Sequence, residues 1–153
     1  MKLGDVLKKE RGLRKLSLAE AAGSLGVSED EYRAIEAGES PAEEWGPLLA
    51  EIAIQLETPT SRLLAESGRA SDAQPGQAGR LIARHRERRQ KTPEEVAEAI
   101  GVPLDQYRTI ESGSSPIEKY GPLLLAFAET IEQPVFNLFY PCGLPFRELD
   151  DYP

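Results

Sequence analysis

Apolar residues recur along the chain at the spacing of α-helices. Leu3, Val6 and Leu7 occupy positions i, i+3 and i+4, which places them on one face of a helix. A longer apolar stripe follows over residues 45–56 and returns over residues 120–131. The spacing predicts an all-α fold.

The order of the predicted helices repeats after 75 positions. Residues 26–38 read GVSEDEYRAIEAG, and residues 101–113 read GVPLDQYRTIESG. Each copy begins with Gly-Val, which suits the turn after the preceding helix, and ends with a glycine that can adopt the left-handed conformation. The pattern predicts one short helix used twice, as the third of five helices in each repeat.

Capping sequences mark where several of these helices begin. Ser17–Glu20, Ser28–Glu31 and Thr92–Glu95 each place a glutamate three residues after a hydroxyl, the pattern of a capping box. Ser40–Glu43 adds a first-turn proline to the same arrangement and predicts the start of the fourth helix. The fifth helices are predicted to begin at Thr58-Pro59 and at Gln133-Pro134.

A small, polar stretch without periodicity separates the two repeats and reads GRASDAQPGQAG over residues 68–79. We predict two tandem five-helix domains, at residues 1–68 and 80–143, joined by a linker at residues 69–79. A C-terminal tail follows at residues 144–153. Each predicted domain has about 65 residues, near the lower size at which a hydrophobic core sustains itself.

Composition narrows the class of protein. The chain is 40% hydrophobic and 29% charged, which is typical of a folded, soluble protein. No apolar run approaches the roughly 20 residues that span a bilayer, and the charged N-terminus is unlike a secretory signal. We therefore expect a cytoplasmic protein that does not contact membranes.

Residues that support metal or covalent chemistry are scarce. The chain has one cysteine, Cys142, and one histidine, His85, which excludes an internal disulfide and a structural zinc site. No catalytic triad spacing and no phosphate-binding loop is present in the sequence. We expect a protein that is not an enzyme and that has no metal or cofactor.

Charge is distributed unevenly along the chain. The formal net charge is -8, yet the segment Arg80–Lys91 holds six basic residues and one acidic residue. Because nucleic-acid-binding proteins usually present a basic field, this segment is a candidate for phosphate contacts. The alternative is an ordinary solvated helix face on which Glu87 pairs locally.

Each repeat resembles the lambda-repressor-like helix-turn-helix domain of the Cro/CI (XRE) family. The resemblance rests on a helix-one arginine, an alanine inside helix two, the Gly-Val turn and the motif Ile-Glu-x-Gly, and it covers most of the chain. It implies that the second and third helices of each repeat form a DNA-reading pair. It also implies two structural ion pairs, Arg11 with Glu36 and Arg86 with Glu111.

The two repeats differ at the positions that would read DNA. Leu18 and Pro93 stand where members of this family usually have glutamine. In the first repeat, residues 29–31 are all acidic and would approach the DNA phosphates with like charge. In the second, Gln106 and Arg108 can make bidentate contacts with bases. The predicted DNA-binding residues are Arg84, Arg88, Arg89, Lys91, Thr92, Gln106, Arg108 and Thr109, with Arg33 as an additional backbone contact.

Two functions follow from these features. The first is a DNA-binding transcriptional regulator of the XRE type that binds double-stranded DNA mainly through the second domain. The alternative is a protein-interaction module on a degenerate helix-turn-helix scaffold. In that case the acidic face of the first domain would bind a basic protein or another regulator.

Aromatic residues enlarge the apolar surface at the end of the second repeat. Phe136, Phe139 and Tyr140 replace Ser61, Leu64 and Ala65 of the first repeat. Something must cover these side chains, and the tail residues Phe146 and Leu149 supply further apolar surface. The tail either folds back over the second repeat or pairs with a second chain in a homodimer.

Overall fold

The computed structural model describes residues 1–144, which contain helices and no strand. This confirms the all-α prediction. No described helix is both long enough and apolar enough to cross a membrane. The α-helices are α1 (Leu3–Leu13), α2 (Leu18–Leu25), α3 (Glu29–Glu36), α4 (Ala42–Leu56), α5 (Thr60–Leu64), α6 (Gln77–Arg88), α7 (Pro93–Ile100), α8 (Leu104–Glu111) and α9 (Ile117–Thr130). Short 3-10 helices span Ala70–Asp72, Val135–Leu138 and Tyr140–Cys142.

The predicted capping boxes of α2 and α7 are both present. Ser17 Oγ accepts a hydrogen bond from the Glu20 amide, and the Glu20 carboxylate accepts one from the Ser17 amide, each at 3.0 Å. Thr92 and Glu95 make the same two contacts at the start of α7. Gly26 ends α2 and Gly101 ends α7, both in the left-handed conformation. Local sequence therefore sets both ends of these two helices.

Two predicted capping carboxylates have other partners. Ser28 caps α3, but the Glu31 carboxylate lies 2.7 Å from Lys119 Nζ, so the predicted capping box is incomplete. Glu43 does not cap its own helix, because its carboxylate accepts hydrogen bonds from the Leu3 and Gly4 amides at the start of α1. Its counterpart Glu118 contacts Ala78 and Gly79 at the start of α6. The unpaired amides at the N-termini of α1 and α6 attract the carboxylates of Glu43 and Glu118.

The last helix of the second repeat differs from the prediction. Val135–Leu138 forms a 3-10 helix, whereas Thr60–Leu64 in the first repeat is an α-helix. Pro141 lacks an amide hydrogen and disfavours the α conformation at Tyr140, so an α-helix cannot continue here.

The two repeats meet where α4 crosses α9. A Cβ at Gly46 would lie 2.8 Å from Leu124 Cδ1, and a Cβ at Gly121 would lie 3.4 Å from Leu49 Cδ2. These are equivalent contacts, because Gly121 and Leu124 are the counterparts of Gly46 and Leu49. Reciprocal contacts of this kind characterise a two-fold interface, here within one chain. One buried apolar cluster accordingly includes side chains from both repeats.

The segment predicted as the linker is packed in the structure. The Ala70 amide donates a 2.7 Å hydrogen bond to the Glu129 carboxylate of α9. Helix α6 begins at Gln77, and residues 77–79 are buried. The segment between the repeats therefore packs against the second repeat and is not a flexible linker. The division of the chain into two domains remains a prediction.

Candidate nucleic-acid interface

Helix α8 is the candidate reading helix of the second repeat. Tyr107 and Ile110 are buried and attach one face of α8 to the repeat. On the other side Asp105, Arg108 and Thr109 are exposed. Gln106 is half-buried, so the two predicted base-reading side chains differ in how freely they can reach a groove.

A close contact between α6 and the end of α8 holds this helix in place. A Cβ at Gly79 would lie 2.3 Å from the Ile110 carbonyl oxygen, so only glycine permits the observed approach. Gly4 occupies the same place in the first repeat, where a Cβ would lie 2.5 Å from the Ile35 carbonyl oxygen. The position of each reading helix thus depends on a glycine in the first helix of its repeat.

The residues expected to form ion pairs lie beside these contacts. Arg86 Nε is 2.6 Å from Glu111 Oε2, and Arg86 Nη2 is 3.0 Å from Oε1, so the contact is bidentate. The Nη1 group of Arg86 donates to the Lys91 carbonyl at 2.9 Å. Because its guanidinium is occupied and largely buried, Arg86 is not free to contact a phosphate. Its hydrogen bonds to Glu111 raise the pKa of Arg86.

The first repeat builds the same arrangement. Arg11 Nε and Nη2 donate to Glu36 at 2.6 and 3.1 Å, and Nη1 donates to the Leu16 carbonyl at 2.9 Å. Tyr32 lies beside this pair, as Tyr107 does in the second repeat. Burial, followed by the neighbouring glutamate, raises the pKa of each tyrosine. Each repeat therefore has its own buried arginine–glutamate pair with a neighbouring tyrosine, beneath α3 in the first repeat and beneath α8 in the second.

Two of the side chains predicted to contact phosphates, Arg89 and Lys91, have partners in the first repeat. Arg89 Nε donates to the Leu56 carbonyl at 2.8 Å, and Arg89 Nη2 donates to the Glu57 carbonyl at 2.9 Å. Lys91 Nζ donates to the Gln55 carbonyl at 2.8 Å. The C-terminus of α4 carries unpaired carbonyls and a negative dipole, which attract both cations.

Arg84 and Arg88 are exposed, but they lie on another face of α6 from the one that supports α8. They line a cleft between α5 and α6, together with Arg62 and His85. At about 100° per residue, both arginines are roughly half a turn from Gly79 and Arg86. The periodicity of α6 could have shown that the basic residues divide between faces, which the net charge of the segment conceals.

Three of the remaining predicted DNA contacts have local partners. Arg108 Nη2 is 3.6 Å from Glu94 Oε1, and both side chains are exposed. The Thr109 hydroxyl donates to the Asp105 carbonyl at 3.0 Å. The Thr92 hydroxyl accepts from the Glu95 amide at the start of α7. Of these contacts, the exposed Arg108 pair is held only weakly.

The exposed surface of α3, the counterpart of α8 in the first repeat, is acidic, and two of its carboxylates are already paired. Glu29 is 2.7 Å from Arg33 one turn later in α3, so the predicted backbone contact of Arg33 competes with an existing pair. Glu31 pairs with Lys119 of α9. Asp30 is exposed between them. This surface presents negative charge to any approaching duplex.

Two of the three aromatic residues at the end of the second repeat are buried, and one of them lies against the first repeat. Phe136 and Phe139 are buried, and a Cβ at Gly46 would lie 3.2 Å from Phe139 Cε1. Tyr140 is 53% exposed. Phe146 and Leu149 lie outside the described residues. The first repeat therefore covers part of Phe139, and contact with the tail or with a second chain remains a prediction.

Part of this chain is similar to a family of protein domains. Residues 77–130 match a family model described as a helix-turn-helix domain, and they include α6, α7, α8 and α9. No curated protein and no solved structure matches the chain. The matched segment contains the exposed α8 and the helices that support it. Residues 77–130 therefore form a helix-turn-helix domain, a type of domain found in DNA-binding regulators.

Proposed function

We propose that the protein is a transcriptional regulator of the XRE type that contacts double-stranded DNA mainly through its second repeat. The proposal depends on one observation: α8 is exposed within the segment that matches the helix-turn-helix family model. In such domains the second helix of the motif lies in the major groove. The domain type is that of a non-enzymatic regulator.

Arg108 is the side chain best suited to base recognition. Its guanidinium can donate two hydrogen bonds to the O6 and N7 atoms of guanine, and Gln106 can pair similarly with adenine. Because the contact with Glu94 is exposed and long, Arg108 can exchange it for a base at little cost. Each bidentate contact contributes about 1–3 kcal/mol of discrimination between bases.

The surrounding charge predicts few phosphate contacts. Glu94, Glu95, Glu98 and Asp105 lie on α7 and α8 against the single cation Arg108, while Arg89 and Lys91 bind the first repeat. With about two or three phosphates contacted, log K should fall against log salt with a slope of about -2 to -3. Affinity would then come mainly from base contacts.

One chain should recognise one half-site. The repeats share a buried cluster, so the first repeat occupies the place that a second subunit would take in a symmetric dimer. Its own reading helix presents Glu29 and Asp30, which phosphates repel. We therefore propose that the target is a single, non-palindromic half-site read by a monomer.

Selection of duplexes from a random library, followed by fluorescence anisotropy across a salt series, tests the proposal. Arg108→Gln should weaken binding to the selected duplex by about 5- to 150-fold and relax the preference at one base pair. Arg33→Gln is the matched control, because Arg33 holds the equivalent position in α3, and it should change affinity less than about two-fold.

Two results would contradict the assignment. Equal losses in Arg108→Gln and Arg33→Gln would mean that the second repeat is not the main reader. Absence of duplex binding at about 50 mM salt, where phosphate contacts are strongest, would exclude DNA binding through α8.

The acidic α3 surface favours a second candidate, binding of a basic protein. Glu29 and Asp30 are exposed on this surface, and residues 1–75 carry nine basic and fourteen acidic residues. A lysine-rich peptide provides the probe for calorimetric titration. Saturable binding that Glu29→Gln with Asp30→Asn abolishes, without duplex binding by the native chain, would support this function over the first.

A further inference from the structure

A basic cleft lies between α5 of the first repeat and α6 of the second. Two adjoining hollows, of about 400 and about 290 Å3, share Arg62, His85 and Arg88 in their walls. Arg84 lines the smaller hollow. The two repeats thus build this cleft together, on a different face of α6 from the one that supports α8.

Three of the four arginines that line this cleft lack acidic partners. Within residues 1–144, no carboxylate forms an ion pair with Arg62, Arg84 or Arg88. The two glutamates in the walls pair with other arginines: Glu66 with Arg80 at 3.0 Å, and Glu57 with Arg89, the fourth arginine of the cleft, at 3.8 Å. Arginines that line one cleft repel one another, so an anion bound in the cleft would relieve this repulsion.

The equivalent positions of the other repeat show that the scaffold does not require this charge. Arg84, His85 and Arg88 correspond to Lys9, Glu10 and Leu13, and Arg62 corresponds to Asn137. Glu10 also forms an ion pair with Arg14 in the same helix. Three arginines and a histidine are therefore a specific property of one cleft in a chain whose net charge is -8.

His85 lies between the arginines and is half-buried. Burial, followed by the charges of Arg88, Arg84 and Arg89, lowers its pKa, while the Arg62 carbonyl acts in the opposite direction. The Arg62 carbonyl accepts one imidazole N–H, and protonation of His85 on anion binding would supply a second N–H donor. Arginine forks match the spacing of phosphate oxygens, so a phosphate group can use both kinds of donor.

We propose that the α5–α6 cleft binds a phosphate-bearing anion through Arg62, Arg84 and Arg88, with His85 as an additional donor. The phosphate belongs either to a small phosphorylated molecule or to the backbone of a bound duplex. Because the walls come from both repeats, the anion would also strengthen their contact.

His85 provides a specific probe, because it is the single histidine of the chain. Pyrophosphate is titrated at constant ionic strength, with chloride as the replaced anion, while the imidazole signal is followed by NMR. We expect a saturable shift of this signal. Arg84→Gln combined with Arg88→Gln should weaken pyrophosphate binding at least about ten-fold, since two of the three arginine ligands are lost. The control Arg33→Gln should not change it.

A second titration with a short duplex distinguishes the two sources of phosphate. A saturable shift with pyrophosphate that persists in Arg108→Gln identifies a small-molecule site independent of α8. A saturable shift with duplex alone, lost in the Arg84 and Arg88 double variant, identifies the DNA backbone. If neither probe shifts His85 saturably, or if chloride acts as well as pyrophosphate, the proposal is wrong even if α8 binds DNA.

Discussion

Arg89 donates a 2.8 Å hydrogen bond from Nε to the carbonyl of Leu56, which joins the second repeat to the end of the longest helix of the first. The reciprocal contact is also present, since Arg14 Nη2 donates to the Ile131 carbonyl at 3.2 Å. Arg14 and Ile131 are the repeat counterparts of Arg89 and Leu56. Each repeat thus supplies an arginine that donates a hydrogen bond to a carbonyl at the C-terminal end of the other repeat's long helix, α4 or α9.

We expect Arg89→Met to destabilise the whole described body. The variant keeps most of the aliphatic stem and removes the donors to Leu56 and Glu57, so the free energy of unfolding should fall by about 1.5–3 kcal/mol. Urea denaturation measures the change. Arg88→Met is the control, because its guanidinium has no acidic partner within residues 1–144, and it should alter stability by less than about 0.5 kcal/mol. Equal losses in the two variants would show that the hydrogen bonds of Arg89 to Leu56 and Glu57 do not stabilise the protein.

Gly46→Ala should destabilise the protein, whereas Gly23→Ala should stabilise it. A Cβ at Gly46 would lie 2.8 Å from Leu124 Cδ1 and 2.9 Å from Leu3 Cδ2, and overpacking of this kind costs about 1–3 kcal/mol. A Cβ at Gly23 meets nothing within 4 Å, and alanine favours a helix by up to about 1 kcal/mol.

Hydrogen exchange shows whether the loss of stability in Gly46→Ala extends from the first repeat to the second. In Gly46→Ala the amides of α9 should lose protection together with those of α4, because the two helices pack on one another. Loss confined to α4 would indicate that the repeats unfold independently.

Removing one charge from either buried ion pair should have similar effects in the two repeats. Glu36→Gln and Glu111→Gln each leave an arginine largely buried without its anion, which costs about 3 kcal/mol. The melting temperature should fall by roughly 6–12 °C. Arg33→Gln breaks the exposed pair with Glu29 and should cost less than about 1 kcal/mol. A small effect in one repeat alone would mean that its pair is dispensable.

His85 should titrate below its ordinary pKa of about 6.5. As pH falls through this value the unfolded chain takes up a proton that the folded chain resists, so stability decreases towards the lowered folded pKa. NMR titration of the imidazole gives the midpoint. Arg88→Gln should raise it, because one repelling charge is removed, and pyrophosphate should raise it as well. A midpoint above 6.5 in the native chain would contradict the packing around His85.

The contacts that sequence reasoning identified are local or repeated. The capping box of Ser17 and Glu20 joins residues three positions apart, and Gly26 ends its helix through its own backbone conformation. The pairing of Arg86 with Glu111 was implied by the family resemblance, not by spacing. Local sequence did not predict the partner of Glu43. Its position suggests a cap for α4, but its carboxylate accepts hydrogen bonds from amides at the start of α1.

The sequence by itself determined where α2 and α7 begin and end and that the same pattern occurs twice, because those properties depend on backbone conformation and on neighbours within one or two turns. Tertiary structure alone decided that Arg89 and Lys91 face the first repeat, whereas Arg84 and Arg88 line a cleft against α5. A side chain's partner across the molecule depends on how whole helices pack. Here Gly46 of α4 leaves room for Leu124 of α9, and Gly121 of α9 leaves room for Leu64 of α5.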